Sequence, residues 1–334
     1  MQHEKRLENR SFTVSVVVPA KNEESVLRRT HDRLTRVLED QVGNFEIVYV
    51  DDGSTDSTFE LLCGIQSTDR RVKVVQLSRN FGQQVAITAG IEHASGSAVV
   101  VIDADLQDPP EVIPLMIDRW HEGFDVVYGV RIKREGETVF KLLSAKAFYW
   151  LVNRISSTPI PADTGDFRLM DRKVIDALLR MPERDRFLRG MVNWVGFRQA
   201  PLPYERSARD AGVSKYPLFK MLRLAMDGVT SFSMLPLKMA TWLGFSASAI
   251  ALLLICYAMF VHAFTNKWIT GWTSLFIAIL FMGGAQLICL GIIGEYVGRV
   301  YGETKQRPLY FVRQVVGVEA TRRNQEEIIR AATG

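Results

Sequence analysis

Residues 99–112 read VVVIDADLQDPPEV. Four apolar residues, Val99 to Ile102, lead into Asp103-Ala104-Asp105, then Gln107, Asp108 and two prolines. A short, continuous apolar run of this kind is a strand buried on both faces, as in parallel sheets. Its end pushes two carboxylates forward, one residue apart. Alternate side chains of an extended segment share a face, so Asp103 and Asp105 point the same way and Ala104 leaves room between them. Asp108-Pro109-Pro110 suits a helix start, where the missing proline N–H costs nothing. Capping accounts for Asp108 but leaves Asp103 and Asp105 unexplained, except as acids of a solvated loop.

The same pattern repeats on both sides of this stretch. TVSVVVPA (13–20), FEIVYVDDGSTDST (45–58), VKVVQLS (72–78) and FDVVYGVR (124–131) read as strands. Segments with helical spacing separate them. One is NEESVLRRTHDRLTRVLED (22–40), with acids expected in the first helical turn. Strands alternating with helices predict a mostly parallel, Rossmann-like doubly wound sheet with helices on both faces. Ligands of such sheets bind beyond the carboxyl ends of the strands. Those ends carry Pro19-Ala20-Lys21-Asn22-Glu23, Asp51-Asp52-Gly53-Ser54, Asp103-Ala104-Asp105 and Arg131. All four are expected on one rim.

No GxGxxG follows the first strand and no GxxxxGK[ST] occurs, which removes the usual dinucleotide fold and the P-loop. The rim is acidic. Carboxylates repel a pyrophosphate and can hold it only through a divalent cation. Mg2+ commonly uses one or two carboxylates together with substrate phosphates. Asp105 is therefore the expected ligand of Mg2+ or Mn2+, with Gln107 as its neighbour. Asp103 is expected at the sugar of a nucleotide ligand or at a metal-bound water.

The 334 residues are 47% hydrophobic, and the apolar residues concentrate late. Neither 239–265 nor 269–294 contains Asp, Glu, Lys or Arg, and only NKW (266–268) separates them. About 20 apolar residues suffice to cross a bilayer, so a two-helix transmembrane hairpin is expected. Lys215, Lys220, Arg223 and Lys238 precede it, and Arg299, Lys305, Arg307 and Arg313 follow it. The positive-inside rule then puts both termini and the N-terminal domain in the cytoplasm, and the expected location is the inner membrane, as a multi-pass protein. Two amphipathic stretches, 139–155 and 216–235, are expected either in the headgroup plane or packed on the domain. The expected organisation is a cytoplasmic domain over 1–235, the two membrane helices within 236–300, and a cytoplasmic tail over 301–334. A strand over 308–316 would extend the edge of this sheet or of a neighbouring subunit's, which makes a homo-oligomer an expectation. The net charge of +4 is too small to argue for nucleic acid. Cys63, Cys256 and Cys289 form no CxxC and no disulfide framework, and MQHEKRLENR has no apolar core of a signal peptide.

Together VSVVVPAKNEE, IVYVDDGSTDST, DADLQDPPE and GDFRLMD resemble family 2 glycosyltransferases of the GT-A fold, over roughly residues 12–318. RNFGQQVAITAGIEHASG and GIIGEYVGRVYGETKQRPLYFV are similar to the bacterial two-span members of the polyprenyl-phosphate branch. That branch includes dolichyl-phosphate mannose synthase, the aminoarabinose-lipid transferase and the undecaprenyl-phosphate glucosyltransferases of O-antigen glucosylation in lipopolysaccharide. The resemblance implies a nucleotide-sugar donor, UDP-glucose above GDP-mannose or UDP-aminoarabinose, with a divalent metal, a polyprenyl (undecaprenyl) phosphate acceptor, and inversion at the anomeric carbon.

By matched motif, the resemblance implies that Pro19, Ala20, Asn22 and Glu23 frame the base and ribose and that Asp52 contacts the base. Asp103, Ala104 and Asp105 fall at the ribose and metal, and Arg131 near the diphosphate. Asp166 matches the catalytic acid, with Asp163 a second choice. Arg206, Ser214 and Lys215, with Arg209 as an extra, match a loop that closes over phosphates; juxtamembrane attraction to anionic lipid would also explain those charges. Arg131 as a surface residue and Asp166 as a turn residue are the plain alternatives. SRNFGQ (78–83) reads as a donor-side loop or only a helix cap and stays outside the expected site. A processive polysaccharide synthase lacks support, because no QxxRW occurs and two spans are few for a sugar channel. A non-catalytic membrane scaffold would not need Asp52, Asp103, Asp105 and Asp166 together.

Overall fold

β1 (Val14–Ala20), β2 (Phe45–Asp51) and β4 (Ala98–Val101) are buried along nearly their whole lengths. Their continuous apolar sequences put them at the centre of the sheet, where both faces are covered. A computed structural model describes residues 12–132, 164–184, 186–205, 235–265 and 271–317. The stretches 139–155 and 216–234 lie outside the described residues, as do Asp163, Arg206, Arg209, Ser214 and Lys215. The chain divides into two compact units. The first carries the described residues up to Glu205 together with 308–317, and the second those from Leu235 to Arg307.

The first unit is built on one eight-stranded sheet of order β7-β5-β6-β4-β1-β2-β3-β8. The remaining strands are β3 (Val72–Leu77), β5 (Val126–Arg131), β6 (Thr164–Asp171), β7 (Gln199–Tyr204) and β8 (Val312–Val316). β1 runs parallel to β2 and β4, β2 to β3, and β5 to β7. β6 is antiparallel to both β4 and β5, and β8 to β3. β7 contains two prolines and lies at the edge, where a missing donor breaks no ladder.

The helices are α1 (Leu27–Gln41), α2 (Thr58–Thr68), α3 (Gln83–His93), α4 (Ile113–His121), α5 (Arg172–Leu179) and α6 (Leu188–Trp194). Leu34 and Leu38 of α1, Leu62 of α2 and Ile113 and Met116 of α4 share one core with Val16, Ile47, Val100 and Phe167 of the sheet. The opposite face carries α3 against β1 and β2, and α5 against β4 and β6. α1 starts at Leu27, later than its sequence pattern predicts, and has no acid in its first turn. Asn22 takes a positive φ of 54°. The Glu23 and Glu24 amides donate to Thr58 Oγ1 and Asp56 Oδ2 instead of joining the helix.

The second unit is a pair of long helices, α7 (Leu235–Thr265) and α8 (Trp272–Thr304). Leu237–Leu254 has a mean hydropathy of 1.5 and Ile277–Thr304 of 2.2, so both are long and apolar enough to cross a membrane. A core helix of a soluble protein would bury such residues, yet Trp242 and Leu287 are each 71% exposed. After α8 the chain returns to the first unit, where β8 pairs with β3 through Val74↔Val316 and Val75↔Val315. This strand therefore extends its own sheet, and it gives the homo-oligomer expectation no support.

Candidate active site

The carboxyl ends of β1 and β2 are locked to each other before any ligand is considered. The Asn22 carboxamide oxygen accepts from Thr55 N at 2.8 Å, and Asn22 N donates to Ser54 Oγ at 3.0 Å. Asp51 accepts from Ser54 N and from Gln76 Nε2, which builds the turn after β2. Asp52 is buried, and its two oxygens accept from Phe81 N at 2.7 Å and Gly82 N at 2.9 Å. Burial pushes its carboxyl above the ordinary value, against the pull of those two amides. The 78–83 loop, left outside the site by its sequence, is thus fixed to the rim through Asp52. The half-buried Pro19, buried Ala20 and half-buried Glu23 stand beside it.

Beyond β4, Ile102 N still donates to Val17 O, and then the chain breaks away from the sheet. Thr30 of α1 donates to Ala104 O at 2.7 Å, which pins the turn. Asp105 Oδ1 accepts from Gln107 N, and Leu106 takes a φ of 56°, an uncommon conformation for leucine. Gln107 and Asp108 are buried behind the two rim acids. Asp103 accepts from Gln83 Nε2 at 2.8 Å. Burial, followed by the charges of Asp166, Asp108 and Asp105, pushes the Asp103 carboxyl up to about 7, and Arg189 offsets only part of this.

Asp166 reaches the same rim because β6 runs the other way. Its first residues therefore lie level with the last residues of its neighbours. Between Tyr128↔Arg168 and Val130↔Thr164 the register slips, so Gly165-Asp166-Phe167 stand opposite Gly129 alone. Bulges of this kind re-aim side chains beside active sites. Asp166 Oδ1 accepts from Arg189 Nε at 2.9 Å and Oδ2 from Gln84 Nε2 at 3.0 Å. Gln84 Oε1 in turn accepts from Leu188 N, which ties the start of α3 to α6. Burial alone would raise the Asp166 carboxyl, but Arg189, Arg168 and Gln84 outweigh it and hold it below the usual carboxylate range. Arg168 is itself buried and donates to Gly165 O, and burial lowers its guanidinium to about 10.

Arg131 closes the rim at the end of β5. Its Nε lies 3.4 Å from the Tyr204 hydroxyl and its Nη2 3.9 Å from Asp108 Oδ1. Burial opposes its charge, yet Tyr204 and Asp108 keep its guanidinium above the ordinary value.

The described rim therefore gathers Pro19, Ala20, Asn22, Glu23, Asp52, Asp103, Ala104, Asp105, Gln107, Arg131 and Asp166 at one end of the sheet. Gln83, Gln84, Arg189, Asp108 and Tyr204 belong to it as well, and sequence reasoning missed them. Gln83 and Gln84 were within reach, since Gln83 closes the SRNFGQ loop that was left outside the site and Gln84 follows it. Arg189 carried no signal of its own. Among the described residues, no group of three or more His, Cys, Asp or Glu side chains could hold a metal ion unaided. The donor set nevertheless fits a hard divalent cation that takes its remaining ligands from phosphates and water. Asp103 and Asp105 supply oxygens, and the like charges that raise Asp103 are the field a cation would relieve.

The glycosyl transferase family 2 model matches residues 15–179, which span β1 to α5. An uncharacterized glycosyltransferase of Bacillus subtilis (strain 168) is 50% identical over 314 residues, covering 94% of this chain and 97% of that protein. The bactoprenol glucosyl transferase of Shigella phage SfV is 39% identical over 300 residues, covering 90% of this chain and 98% of that one. A prophage bactoprenol glucosyl transferase homolog of Escherichia coli (strain K12) is 38% identical over 302 residues, with 90% and 99% covered. With a mostly parallel sheet, an acidic rim and relatives of this identity matched over nine-tenths of its length, the chain belongs to glycosyl transferase family 2 and is a glycosyltransferase.

Proposed function

We propose that this chain transfers a hexose, glucose from UDP-glucose, to a polyprenyl phosphate of the undecaprenyl class, with a divalent metal and inversion at C1. The observation that carries this reading is an asymmetry on the rim. Asp103 sits where like charges outweigh the opposing one, which suits a metal nucleotide. Asp166 is already countered by Arg189, which suits an anionic acceptor. The bactoprenol glucosyl transferases matched over 90% of the chain support the lipid and the sugar.

Asp105 and Asp103, with Gln107 behind them, would hold Mg2+ or Mn2+. The bound ion would supply Lewis acidity at the donor diphosphate. Pro19, Ala20, Asn22, Glu23 and Asp52 frame the nucleoside, and Arg131 faces the diphosphate. The acceptor is a phosphate monoester whose second pKa is near 6, so at neutral pH it is largely dianionic and offers no proton to remove. Asp166, kept ionised by Arg189, therefore orients the acceptor's surroundings instead of acting as a strong base. A phosphate oxygen attacks C1 in line, the C1–O bond to the diphosphate breaks, and its electron pair leaves with the nucleoside diphosphate. Arg131 and Arg189 counter the charge of the two phosphates, in the manner of preorganised electrostatic stabilisation. Asp163, Arg206, Arg209, Ser214 and Lys215 complete the proposed catalytic and acceptor-phosphate set.

α7 and α8 would place the enzyme in the inner membrane. The chain leaves the sheet before the helices and returns to it as β8, which supports both chain ends on one side. The distribution of Lys and Arg makes that side the cytoplasm.

The test is transfer of labelled sugar from a panel of nucleotide sugars to undecaprenyl phosphate, with Mg2+, Mn2+ or EDTA. A lipid-linked product from UDP-glucose that EDTA abolishes is expected. Product from another donor would replace the sugar and keep the reaction. No lipid product from any donor, with folded protein in lipid, would overturn the reading.

A further inference from the structure

Arg131 and Tyr204 are register partners on the adjacent parallel strands β5 and β7, so their side chains rise on the same face of the sheet. The Tyr204 hydroxyl donates to Asp108 Oδ1 at 2.5 Å and stands 3.4 Å from Arg131 Nε. Asp108 is fully buried and Tyr204 only 4% exposed. The three groups bring together the DADLQD turn, the end of β5 and the last residue of β7. Burial, with Asp108 second, keeps the Tyr204 hydroxyl protonated far above neutrality.

Two glycines show that this arrangement is built into the sequence. A Cβ on Gly129 would meet the Tyr204 ring at 2.6 Å, and a Cβ on Gly165 would meet Arg131 Nη2 at 2.7 Å. Each leaves room for one of the two side chains. Phe167 then packs edge-on against the Tyr204 ring, with centroids 5.5 Å apart. The ring is thus held by packing and the hydroxyl by a buried carboxylate. The phenol links Arg131 Nε to Asp108 Oδ1, and Arg131 Nη2 lies 3.9 Å from that same oxygen. Without it, guanidinium and carboxylate could close on each other, and Arg131 would be drawn from the rim toward the buried side.

We propose that Tyr204 and Asp108 are positioning residues for this enzyme: the Asp108-anchored phenol keeps Arg131 at the rim, where it meets the β-phosphate of the donor nucleotide. The inference rests on the reading that Arg131 faces the donor diphosphate. Tyr204 itself touches no substrate. Its effect passes through Arg131, so it discriminates a nucleoside diphosphate from the monophosphate.

The test is calorimetric binding of UDP and UMP, with Mn2+, to the full chain carrying Tyr204→Phe, Arg131→Ala or both. The phenylalanine ring keeps the contact with Phe167. Each single variant is expected to weaken UDP about tenfold, the scale of one charge-assisted hydrogen bond. UMP binding should stay unchanged, and the double variant should be no weaker than Arg131→Ala alone. Asp108→Asn, which keeps an acceptor for the phenol, should retain more UDP affinity than Asp108→Ala. Unaltered UDP binding by Tyr204→Phe, equal weakening of UDP and UMP, or additive losses would each overturn the inference. If the wild type binds GDP in place of UDP, the cycle is read with GDP and GMP, and binding of neither overturns it. Nucleotide binding needs no acceptor. A wild type that binds UDP with this pattern but makes no lipid product would refute the proposed transfer and leave the positioning role standing.

Discussion

Two acids at opposite ends of one sheet have been treated in opposite ways. Glu46, near the foot of β2, is 7% exposed and surrounded by donors. It accepts from Ser15 Oγ and Ser95 N at 2.5 Å and from Ser95 Oγ at 2.9 Å, and Lys73 Nζ lies 2.6 Å away. Burial would raise its carboxyl, but Lys73, Ser15 and Ser95 win and hold it below the ordinary value. Asp103, beyond the head of β4, is pushed up to about 7 by desolvation first and then by the charges of three other acids. The fold satisfies the charge it needs for its own cohesion. At the rim it keeps a charge that is costly until a ligand arrives. Strain of that kind clusters at functional sites.

The largest effect should come from removing the rim acids. Asp105→Asn is expected to lower transfer by about 10³-fold, the scale of losing several kcal/mol of metal-borne stabilisation. Stability should move the other way. A folded-state pKa of about 7, against an ordinary 3.8, means that the cost of ionising Asp103 builds as the pH rises above 3.8 and is complete above about 7. That penalty fades as the pH falls through 7 and is gone below the unfolded value. Asp103→Asn should therefore raise the melting temperature of the protein in EDTA at pH 8, with a gain that shrinks toward pH 4. Scanning calorimetry at a series of pH values measures this. A variant that is both inactive and less stable at pH 8 would show that the rim acid is structural, like Glu46.

The strands and the rim acids were legible because they are local features. The apolar runs of β1, β2 and β4 declare burial on both faces, and the residues after them can only be at strand ends. The contacts that complete the site were not local. Gln84 meets Asp166 across 82 positions, and Tyr204 meets Asp108 across 96. No periodicity encodes such pairs. The antiparallel course of β6 was equally hidden. It is what brings the start of GDFRLMD to the rim, and a strand's sequence does not carry its direction. Arg189 lies in a seven-residue helix of mixed composition, so its charge reads as surface until Asp166 is seen against it. The membrane-length helices were readable from apolar length alone. β8 could have joined this sheet or another, and only its register with β3 decides that.

An intermediate effect should follow at the countered acid. Arg189→Ala is expected to cut transfer about 10²-fold, within the range of losing one electrostatic donor. Arg189→Lys should recover part of this. The pH profile separates positioning from mere loss of charge. In the wild type, Asp166 lies below the usual range. The acid limb of kcat/KM should then follow the acceptor phosphate near pH 6. Without Arg189, burial is opposed only by Arg168 and Gln84, so Asp166 protonates at a higher pH and the limb should shift upward. An unshifted limb in Arg189→Ala would mean that the ionisation of Asp166 does not matter to the reaction.

The smallest effect on activity, and a clear one on stability, belongs to Glu46. Glu46→Gln should leave transfer within about twofold, because the residue is at the far end of the sheet from the rim. It should cost about 1–3 kcal/mol of unfolding free energy, the range for hydrogen bonds to a charged group. The sign of its pH dependence is opposite to that of Asp103. The folded-state pKa of Glu46 is depressed. Its contribution is complete above the unfolded value near 4.5 and is lost as the pH falls through the lower folded value. Urea unfolding of the wild type should therefore weaken between about pH 5 and pH 3, while Glu46→Gln should show a smaller loss over the same window. Equal pH slopes in the two proteins would mean that the serines and Lys73 give the carboxylate no advantage over water. The contrast between foot and rim would then reduce to the rim alone.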